Sequence, residues 1–540
     1  MNTSPLAGKT PPQSMLADLN VLLEAYHDRP DPSQPVAFGT SGHRGTSLNG
    51  SFTEIHIWAI TQAVCDYRRQ TGIDGPLFMG MDTHALSAPA HRSALEVLAA
   101  NDVETYIHHD GQVTPTPVVS FSILEFNSRH NARADGIVIT PSHNPPEDGG
   151  FKYNPPHGGP AGAEVTAWIE QRANALIQDK PAEIKKIPYE RASRLSCVRA
   201  WDYMTPYLTA LPQVVDMDLI AHSGLRLCAD ALGGSAGPFW EPLAAMYKLQ
   251  LSAVNTARDR HFSFMTLDRD GKIRMDCSSP WAMAGLLAHK DEYDLCFGND
   301  PDADRHGIVT PAGLMNPNHY LAACVDYLFT HRSGWKPEAG VGKTTVTSAM
   351  LDRTAVGLKR KILETPVGFK WFVEPLLNGV CAFGGEESAG ASFLRMNGRP
   401  WSTDKDGLIL NLLAAEMTAK TGRTPDRLYA GLTERYGMSY YERQDVPAGK
   451  TQLQKLKKIT AAELKASSLA GDAVDGIFTR APGNNEPLGG IKACTRNGWF
   501  AARPSGTEDI YKIYAESFVS QEHLDTLMHE AEKLVQATFV

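Results

Sequence analysis

Residues 136–152 read G-I-V-I-T-P-S-H-N-P-P-E-D-G-G-F-K, a short apolar run followed by a loop of prolines and glycines. The apolar run predicts a buried strand, and the flanking prolines restrict the backbone on both sides of Ser142. Two glycines near the end of the loop permit a turn that returns Lys152 towards the serine. A stiff loop that holds a hydroxyl in one place is where we expect a nucleophile, although a proline-rich surface turn has the same local pattern.

Composition and charge limit the classes of protein to which the chain can belong. Its 540 residues, 42% hydrophobic and 21% charged, suffice for roughly three or four domains of about 100–200 residues. The 52 Lys and Arg against 61 Asp and Glu give a net charge of -9, and no basic run indicates a nucleic-acid surface. Segment 1–13 lacks the apolar core of a signal peptide, and no apolar stretch of about 18 residues predicts a membrane span. We expect a cytoplasmic protein that binds neither nucleic acid nor membrane.

The eight cysteines are far apart in the sequence and form no C-x-x-C pair. A chain of this size does not need disulfide bridges to stabilise its core. We therefore expect reduced and mostly buried thiols, in agreement with a cytoplasmic location.

Strand-like and helix-like patterns alternate along most of the chain, which is typical of α/β domains. The pattern begins three times and so predicts three successive α/β units. Further on, residues 497–516 predict two strands around a turn, and the apolar positions of residues 524–535 fall on one face of a helix. This predicts a smaller α+β terminal domain. The predicted strands of the three units are residues 76–81, 105–107, 136–139, 225–229, 293–297, 342–346 and 380–383, with helices at 89–100 and from Met350.

A second loop, residues 298–305, reads G-N-D-P-D-A-D-R and follows an apolar strand-like segment. Its alternating carboxylates, Asp300, Asp302 and Asp304, can converge on one hard divalent cation, for which Mg²⁺ is the natural candidate. An EF-hand calcium loop is excluded because its glycine and glutamate are missing at the required positions. Two alternatives stay open: a solvated acidic turn, and a phosphatase that uses one of these aspartates as its nucleophile.

Three further loops have side chains suited to a phosphorylated sugar. Residues 384–390, G-G-E-E-S-A-G, offer acceptors and a hydroxyl for sugar hydroxyl groups, and residues 503–507, R-P-S-G-T, offer a guanidinium and hydroxyls for a phosphate. Residues 38–45, F-G-T-S-G-H-R-G, form a weaker hydroxyl-rich turn with an arginine. The G-V-G-K-T-T segment at 340–345 is not a Walker loop, because proline occupies the position of its first glycine.

Together these loops resemble the α-D-phosphohexomutases, most closely the bacterial phosphoglucomutase group. The serine, metal, sugar and phosphate loops occur in the order of that family and at domain-sized intervals, so the resemblance covers nearly the whole chain. It implies three successive α/β/α domains with mixed sheets and a smaller α+β C-terminal domain around a central cleft. The implied boundaries are residues 1–205, 206–317, 318–438 and 439–540.

The resemblance also implies the roles of single residues. Ser142 would be the phosphorylated serine and would hold Mg²⁺ together with Asp300, Asp302 and Asp304. The implied catalytic residues are Ser142, Lys152, Arg44 and His143, of which Lys152 and Arg44 serve proton transfer and charge stabilisation. The implied substrate-binding residues are Glu386 and Ser388 for sugar hydroxyls, Arg503, Ser505, Gly506 and Thr507 for the phosphate that is not transferred, and Arg305 and Lys370.

The reaction implied by the resemblance converts α-D-glucose 1-phosphate and glucose 6-phosphate into each other. Glucose 1,6-bisphosphate is the intermediate and activator, and the enzyme is a monomer or a homodimer. The G-E-E-S form of the sugar loop favours glucose. Alternatives are a mutase of broader specificity that accepts mannose phosphate, a sugar phosphatase with an aspartyl nucleophile, and a sugar-phosphate binding protein without catalysis.

Overall fold

A computed structural model of the protein describes residues 3–28, 34–39, 42–505 and 509–539. The chain divides into two compact units. One comprises Asn2–Met315 and Ala389–Gly422, and the other comprises Asn316–Ser388 and Arg423–Val540. Among the described residues, no helix has both the length and the apolar character needed to cross a membrane.

The first α/β region is built on one mixed sheet. Its strands are β1 (Phe38–Gly39), β2 (Gly42–Thr46), β3 (Leu77–Met81), β4 (Thr105–His108), β5 (Asp135–Ile139), β6 (Asp148–Asn154) and β7 (Val198–Trp201). The sheet order is β1-β2-β6-β5-β3-β4-β7: β5, β3, β4 and β7 pair in parallel, whereas β1, β2 and β6 pair antiparallel with their neighbours. Its helices are α1 (Leu19–Tyr26), α2 (Glu54–Thr71), α3 (Ser87–Ala100), α4 (Thr116–Asn127), α5 (Ala163–Gln178) and α6 (Tyr189–Ala192).

The second region repeats this plan with a five-stranded mixed sheet. Its elements are α7 (Met204–Ala210), α8 (Met217–His222), β8 (Leu227–Asp230), α9 (Gly237–Tyr247), β9 (Leu251–Val254), α10 (Ala284–Leu287), β10 (Leu295–Gly298), β11 (Gly307–Thr310) and β12 (Gly313–Leu314). The sheet order is β12-β11-β10-β8-β9, with β8 parallel to β9 and β10. The loop after β10 is therefore at the carboxyl end of a central parallel strand, where ligand sites of α/β sheets occur.

The third region again contains parallel strands. Its elements are α11 (Pro317–His331), β13 (Gly340–Thr344), α12 (Met350–Gly357), β14 (Ile362–Thr365), α13 (Val373–Leu377), β15 (Cys381–Glu386), β16 (Gly390–Phe393), α14 (Gly407–Thr421) and α15 (Pro425–Tyr436). Strand β13 lies between β14 and β15 and is parallel to both. Helix α14 is buried on every side from its start to Thr418, which explains why its sequence has no amphipathic pattern.

The C-terminal region has an antiparallel sheet covered by helices. Its elements are β17 (Tyr440–Pro447), α16 (Lys450–Lys457), β18 (Ser468–Leu469), β19 (Asp472–Arg480), β20 (Pro487–Thr495), β21 (Gly498–Pro504), β22 (Ile510–Ser517) and α17 (Gln521–Ala537). The sheet order is β17-β22-β21-β20-β19-β18. Helix α17 buries the apolar positions that its spacing predicts, including Leu524, Leu527 and Val535, in the core of this region.

The predicted fold class is confirmed: three α/β regions with mixed sheets precede a smaller α+β region. The predicted strands and helices occur, shifted by one to three residues at several ends. The antiparallel strands β2 and β6 of the first sheet were not predicted. Strand β6 reads D-G-G-F-K-Y-N, and its glycines and polar residues hide the alternation from which strands are recognised.

Candidate active site

The serine loop joins β5 to β6 and fixes one hydroxyl. Ser142 is 1% exposed, and its φ of +59° places it in the left-handed region that is uncommon for residues with a Cβ atom. Its backbone N–H donates to Thr140 Oγ1 at 2.8 Å, and its hydroxyl donates to Asp300 Oδ2 at 2.8 Å. The loop thus brings the predicted nucleophile to the predicted metal loop.

Gly150 allows the two strands to approach closely beside the serine. A Cβ atom at this position would lie 2.0 Å from Thr140 O and 2.8 Å from Pro141 Cα, so no side chain fits. The Thr140 N–H donates to Gly150 O at 2.9 Å. Antiparallel pairing of β6 with β5 then places Lys152 opposite Val138, so the chain returns towards the serine as the glycines predict.

The three aspartates after β10 form a buried carboxylate cluster. Asp300, Asp302 and Asp304 are at most 2% exposed, and one oxygen of each lies within 4.8 Å of the others. Asp302 Oδ1 and Asp304 Oδ1 are buried and have no hydrogen-bond partner among the residues that the structure describes. Such oxygens are unfavourable unless something binds them, and carboxylates are the ligands that hard divalent cations prefer. The cluster therefore fits a divalent cation.

Two lysines stabilise this cluster in the structure. Lys152 Nζ donates to Asp302 Oδ2 at 2.6 Å and to Asp304 Oδ2 at 3.0 Å, and Lys405 Nζ lies 3.1 Å from Asp304 Oδ2. Burial disfavours the ammonium form of Lys152, but the charges of Asp302 and Asp304 outweigh burial and raise its pKa. Lys152 therefore carries a proton in this arrangement.

The carboxyl groups of the cluster have pKa values shifted in opposite directions. Burial raises the pKa of Asp300 well above its usual value, and the charges of Asp302 and Asp304 add to this rise. Burial also disfavours ionised Asp304, but Lys152 and Lys405 outweigh it and lower the pKa of this carboxyl. Strong shifts in a buried charge cluster are typical of functional sites.

The predicted catalytic residues Arg44 and His143 lie beside the serine. Arg44 is on β2 opposite Gly150, and its Nη1 donates to Asn144 Oδ1 at 3.1 Å. His143 Nδ1 is 3.4 Å from Ser142 Oγ. Burial lowers the pKa of His143 well below its usual value, and nearby arginines add to this effect, so its imidazole is neutral.

Arg305 also lies at the carboxylate cluster. Its backbone N–H donates to Asp300 Oδ1 at 3.0 Å, and its Nε is 3.8 Å from Asp304 Oδ1. Burial disfavours the charged guanidinium, but the surrounding carboxylates outweigh burial and raise the pKa of Arg305 above its usual value. A permanent positive charge therefore stands next to the acidic loop.

Lys405 and Thr116 also lie at this site and were not predicted from the sequence. Thr116 begins α4, and its hydroxyl donates to Asp302 Oδ2 at 2.5 Å. Lys405 precedes α14, whose start is fixed by Asp406, since the Asp406 side chain accepts from the Ile409 N–H at 3.2 Å. The run S-T-D-K-D before this helix was a usable signal for Lys405, whereas a threonine at a helix start is too common to be one.

The predicted sugar-binding residues lie in the other compact unit. Glu386 ends β15, and its Oε1 accepts from the Gly368 N–H at 3.0 Å. Lys370 follows in the short 3-10 helix Phe369–Trp371, so these two predicted residues belong to adjoining segments. Burial lowers the pKa of Lys370, while Ser388 follows Glu386 and is half-buried.

The predicted phosphate loop follows β21 in the same unit. Arg503 is half-buried and pairs with Lys512 across β21 and β22, so two basic residues are neighbours. The Ser505 N–H donates to Ile510 O at 2.9 Å. Gly506 and Thr507 lie outside the described residues.

The G-V-G-K-T-T segment and the cysteines have structural roles. Lys343, the lysine of the G-V-G-K-T-T segment, is buried in β13, where its Nζ is 2.5 Å from Asp352 Oδ2 and 3.4 Å from Glu364 Oε2. The eight cysteines are free thiols, and most are buried, as predicted.

Comparison with known proteins identifies the family. Phosphoglucomutase/phosphomannomutase domains match in order: alpha/beta/alpha domain I at residues 35–180, domain II at 205–313, domain III at 316–436 and the C-terminal domain at 443–534. A phosphoglucomutase of Komagataeibacter xylinus is 54% identical over 542 residues, which cover 99% of this chain and 98% of that protein.

Two solved structures share the fold. The Paramecium phosphoprotein pp63/parafusin has a TM-score of 0.75 at 21% identity, covering 95% of this chain and 96% of that one. A phosphoglucomutase/phosphomannomutase family protein of Burkholderia thailandensis has a TM-score of 0.69 at 21% identity, covering 94% and 98%. The chain described here belongs to the phosphoglucomutase/phosphomannomutase family, within the α-D-phosphohexomutases that its loops resemble.

Proposed function

We propose that this chain interconverts α-D-glucose 1-phosphate and glucose 6-phosphate, with Ser142 as the carrier of the phosphoryl group. The family and the full-length relative confirm the prediction of a phosphoglucomutase, an isomerase of the intramolecular phosphotransferase type. One observation supports the role of Ser142 most directly. Its buried hydroxyl bonds to Asp300 inside a carboxylate cluster that fits a divalent cation.

Charge compensation is the first requirement of this mechanism. A phosphoserine carries about -1.5 to -2 charges near neutral pH and would stand beside three carboxylates. Asp300, Asp302 and Asp304 would hold Mg²⁺ together with Ser142, and the ion would supply neutralisation of the phosphate charge. The chain has a net charge of -9, so the remaining compensation must come from nearby cations such as Lys152 and Arg305.

Lys152, which lies in the same carboxylate cluster, would move the proton of the serine hydroxyl. Its raised pKa makes it a proton donor in the described state, which suits the step in which Ser142 Oγ loses its phosphoryl group. In the reverse step Lys152 Nζ must accept a proton. Its pKa must therefore fall, which would occur when a bound cation offsets the charges of Asp302 and Asp304 that raise it. Phosphoryl transfer otherwise depends on in-line positioning, which the rigid loop supplies.

The loops of the other unit would bind the sugar. Glu386 and Ser388 would contact sugar hydroxyls, with Lys370 from the adjoining segment. Arg503 and Ser505 would hold the phosphate that is not transferred, because a guanidinium fork binds a phosphate by shape and charge and does not depend on the attached carbon. The same site would accept either phosphate of glucose 1,6-bisphosphate, the intermediate and activator, after this molecule has reversed its orientation.

Glucose is the favoured sugar, on the basis of the G-E-E-S sequence of the sugar loop. A mutase that also accepts mannose phosphate is the second candidate. A coupled assay with glucose 1-phosphate, Mg²⁺ and a trace of glucose 1,6-bisphosphate, compared with mannose 1-phosphate, separates the two candidates.

The role of Ser142 is tested by Ser142→Ala and by mapping the phosphate. We expect the substitution to remove nearly all mutase activity, and we expect the phosphate of the wild-type chain on the peptide that contains Ser142. Treatment with hydroxylamine is the control, because it cleaves an acyl phosphate on an aspartate and leaves a phosphoserine intact. Full turnover by the variant, or a phosphate that hydroxylamine releases, would contradict the proposal.

We also propose four domains with the boundaries 1–205, 206–317, 318–438 and 439–540. A cytoplasmic location is supported by the eight free thiols. A monomer or homodimer is proposed as the assembly.

A further inference from the structure

A buried carboxylate and a buried histidine lie beside the serine loop, outside the predicted catalytic groups. Asp82 and His84 follow β3, and each is 2% exposed. Asp82 Oδ1 accepts from the His84 backbone N–H at 3.0 Å and from Ser87 Oγ at 2.5 Å. Asp82 Oδ2 accepts from His84 Nδ1 at 2.8 Å and from Thr140 Oγ1 at 2.6 Å. These hydrogen bonds fix the carboxylate at the end of a buried strand.

The two side chains contact the serine loop on both sides of Ser142. Thr140, which donates to Asp82, accepts the Ser142 backbone N–H at 2.8 Å. His84 Nε2 is 3.0 Å from the backbone oxygen of Asn144. The loop is therefore held two residues before and two residues after the serine. This matters because a serine with φ of +59° keeps that conformation only if its surroundings impose it.

The partners of His84 require a proton on both ring nitrogens. Nδ1 faces a carboxylate and Nε2 faces a carbonyl oxygen, and neither partner can donate a hydrogen bond. Burial disfavours the charged ring, but the Asp82 carboxylate outweighs burial and raises the pKa of His84. Among the described residues, Asp148 adds a second favourable charge, and the uncharged ring of Phe262 packs 5.0 Å away. Because an acceptor faces each ring nitrogen, His84 is an imidazolium in this arrangement.

We propose that His84, anchored by Asp82, is a positioning residue that holds the serine loop so that Ser142 Oγ stays beside Asp300. The inference rests on the proposed role of Ser142 as phosphate carrier. His84 forms and breaks no covalent bond in the reaction and acts only through the backbone of the loop. Misplacement of a reacting atom by about 1 Å can lower a rate about a hundredfold, so this indirect effect is large enough to measure.

The test compares His84→Gln with Ser87→Ala. Glutamine has one donor end, so it can bond to Asp82 or to the Asn144 oxygen but not donate to both. Ser87→Ala removes a hydrogen bond to the same carboxylate and leaves both contacts with the loop in place. The measurements are the single-turnover rate at which glucose 1,6-bisphosphate phosphorylates Ser142, kcat, KM and the melting temperature.

We expect His84→Gln to lower the transfer rate and kcat by about 10-fold to 100-fold, with KM changed by no more than about twofold. Ser87→Ala should lower the melting temperature and leave the transfer rate near that of the wild type. A separate change to Arg, His84→Arg, keeps a charged donor at every pH and should recover part of the lost rate.

The pH profile distinguishes positioning from a purely structural role. The pKa of His84 is raised above its usual value of about 6.5, so the contact with the Asn144 oxygen is complete below that value. It is lost as the pH rises through the raised pKa, and the wild-type transfer rate should fall there. This alkaline decrease should be absent from His84→Gln, because an amide does not titrate in this range.

The proposal is overturned if His84→Gln phosphorylates Ser142 at the wild-type rate with the wild-type pH profile. It is also overturned if Ser87→Ala shows the same kinetic loss at an equal loss of stability. If His84→Gln does not fold, neutron diffraction from wild-type crystals grown below pH about 6.5 decides, since a missing hydrogen on Nε2 there contradicts the imidazolium. Failure of the proposed function would look different, because the wild-type chain would then carry no phosphate on Ser142.

Discussion

Replacing Lys152 by methionine should strengthen cation binding while it weakens catalysis. The ammonium of Lys152 bonds to Asp302 Oδ2 at 2.6 Å and to Asp304 Oδ2 at 3.0 Å, within the cluster that fits a divalent cation. It therefore competes with that cation for the same carboxylates and also repels it. Methionine keeps most of the apolar length of the side chain and removes the charge.

The geometry gives the size of this competition. At an effective dielectric constant of about 20, unit charges at these two distances attract by roughly 6 kcal/mol each, before the unfavourable burial of the charges is subtracted. A small fraction of this energy is enough to change the affinity for Mg²⁺ at least about tenfold, which corresponds to about 1.4 kcal/mol. Without the cation, the variant loses the lysine at Asp302 and one of the two lysines at Asp304, so its free energy of unfolding should be lower by about 3–5 kcal/mol.

Calorimetric titration of the wild type and Lys152→Met with Mg²⁺ measures the affinity, and the coupled mutase assay measures kcat. We expect tighter binding and a kcat lower by about 10²-fold to 10⁴-fold, the usual contribution of a proton-transfer group. Lys405→Met is the matched control, because Lys405 lies 3.1 Å from Asp304 Oδ2 whereas Lys152 bonds to both Asp302 and Asp304, so the gain in affinity should be smaller. Binding of Mg²⁺ by Lys152→Met that is no tighter than in the wild type would refute this reasoning.

Two further perturbations probe the fold around the site and the other unit. Gly150→Ala should lower the free energy of unfolding by about 1–3 kcal/mol and kcat about a hundredfold, because its Cβ atom would lie 2.0 Å from Thr140 O and displace the serine loop. Thermal unfolding and turnover are measured against Gly285→Ala, a control position with open space around it. Glu364→Gln should lower the free energy of unfolding by about 3–5 kcal/mol at neutral pH, since this carboxylate bridges two buried lysines, whereas Asp326→Asn at an exposed pair should have little effect. Burial opposes ionisation of Glu364, but the two lysines outweigh burial and lower its pKa. The difference in the free energy of unfolding between the wild type and Glu364→Gln should therefore be complete above pH about 4.3 and shrink as the pH falls. Urea unfolding that shows a difference independent of pH would contradict this explanation.

The sequence was informative where chemistry and local backbone coincide. The prolines and glycines around Ser142 predict a fixed loop, and the alternating aspartates after an apolar strand predict a carboxylate cluster. Both signals are local, and the contact between Ser142 Oγ and Asp300 Oδ2 joins them in the structure.

Groups that reach the site through sheet register could not be predicted in the same way. Thr116 and His84 follow ordinary patterns in the sequence. His84 meets the serine loop because β3 and β5 are parallel neighbours that end at the same edge of one sheet, whereas Thr116 of the first region meets Asp302 of the second region by packing between two sheets. The return of the chain from Ala389 to Gly422 into the first unit is also invisible in the sequence, since α14 lacks an amphipathic pattern. Long-range packing determines these features.

The left-handed backbone at position 142 has a consequence for protein engineering. A residue with a Cβ atom is disfavoured there by about 1 kcal/mol or more, and glycine alone adopts φ near +59° without steric penalty. A library screened for thermal resistance alone has no backbone reason to retain serine at this position and can drift towards inactive chains. Stabilisation of this protein should therefore be selected with an activity screen, or with residue 142 held constant.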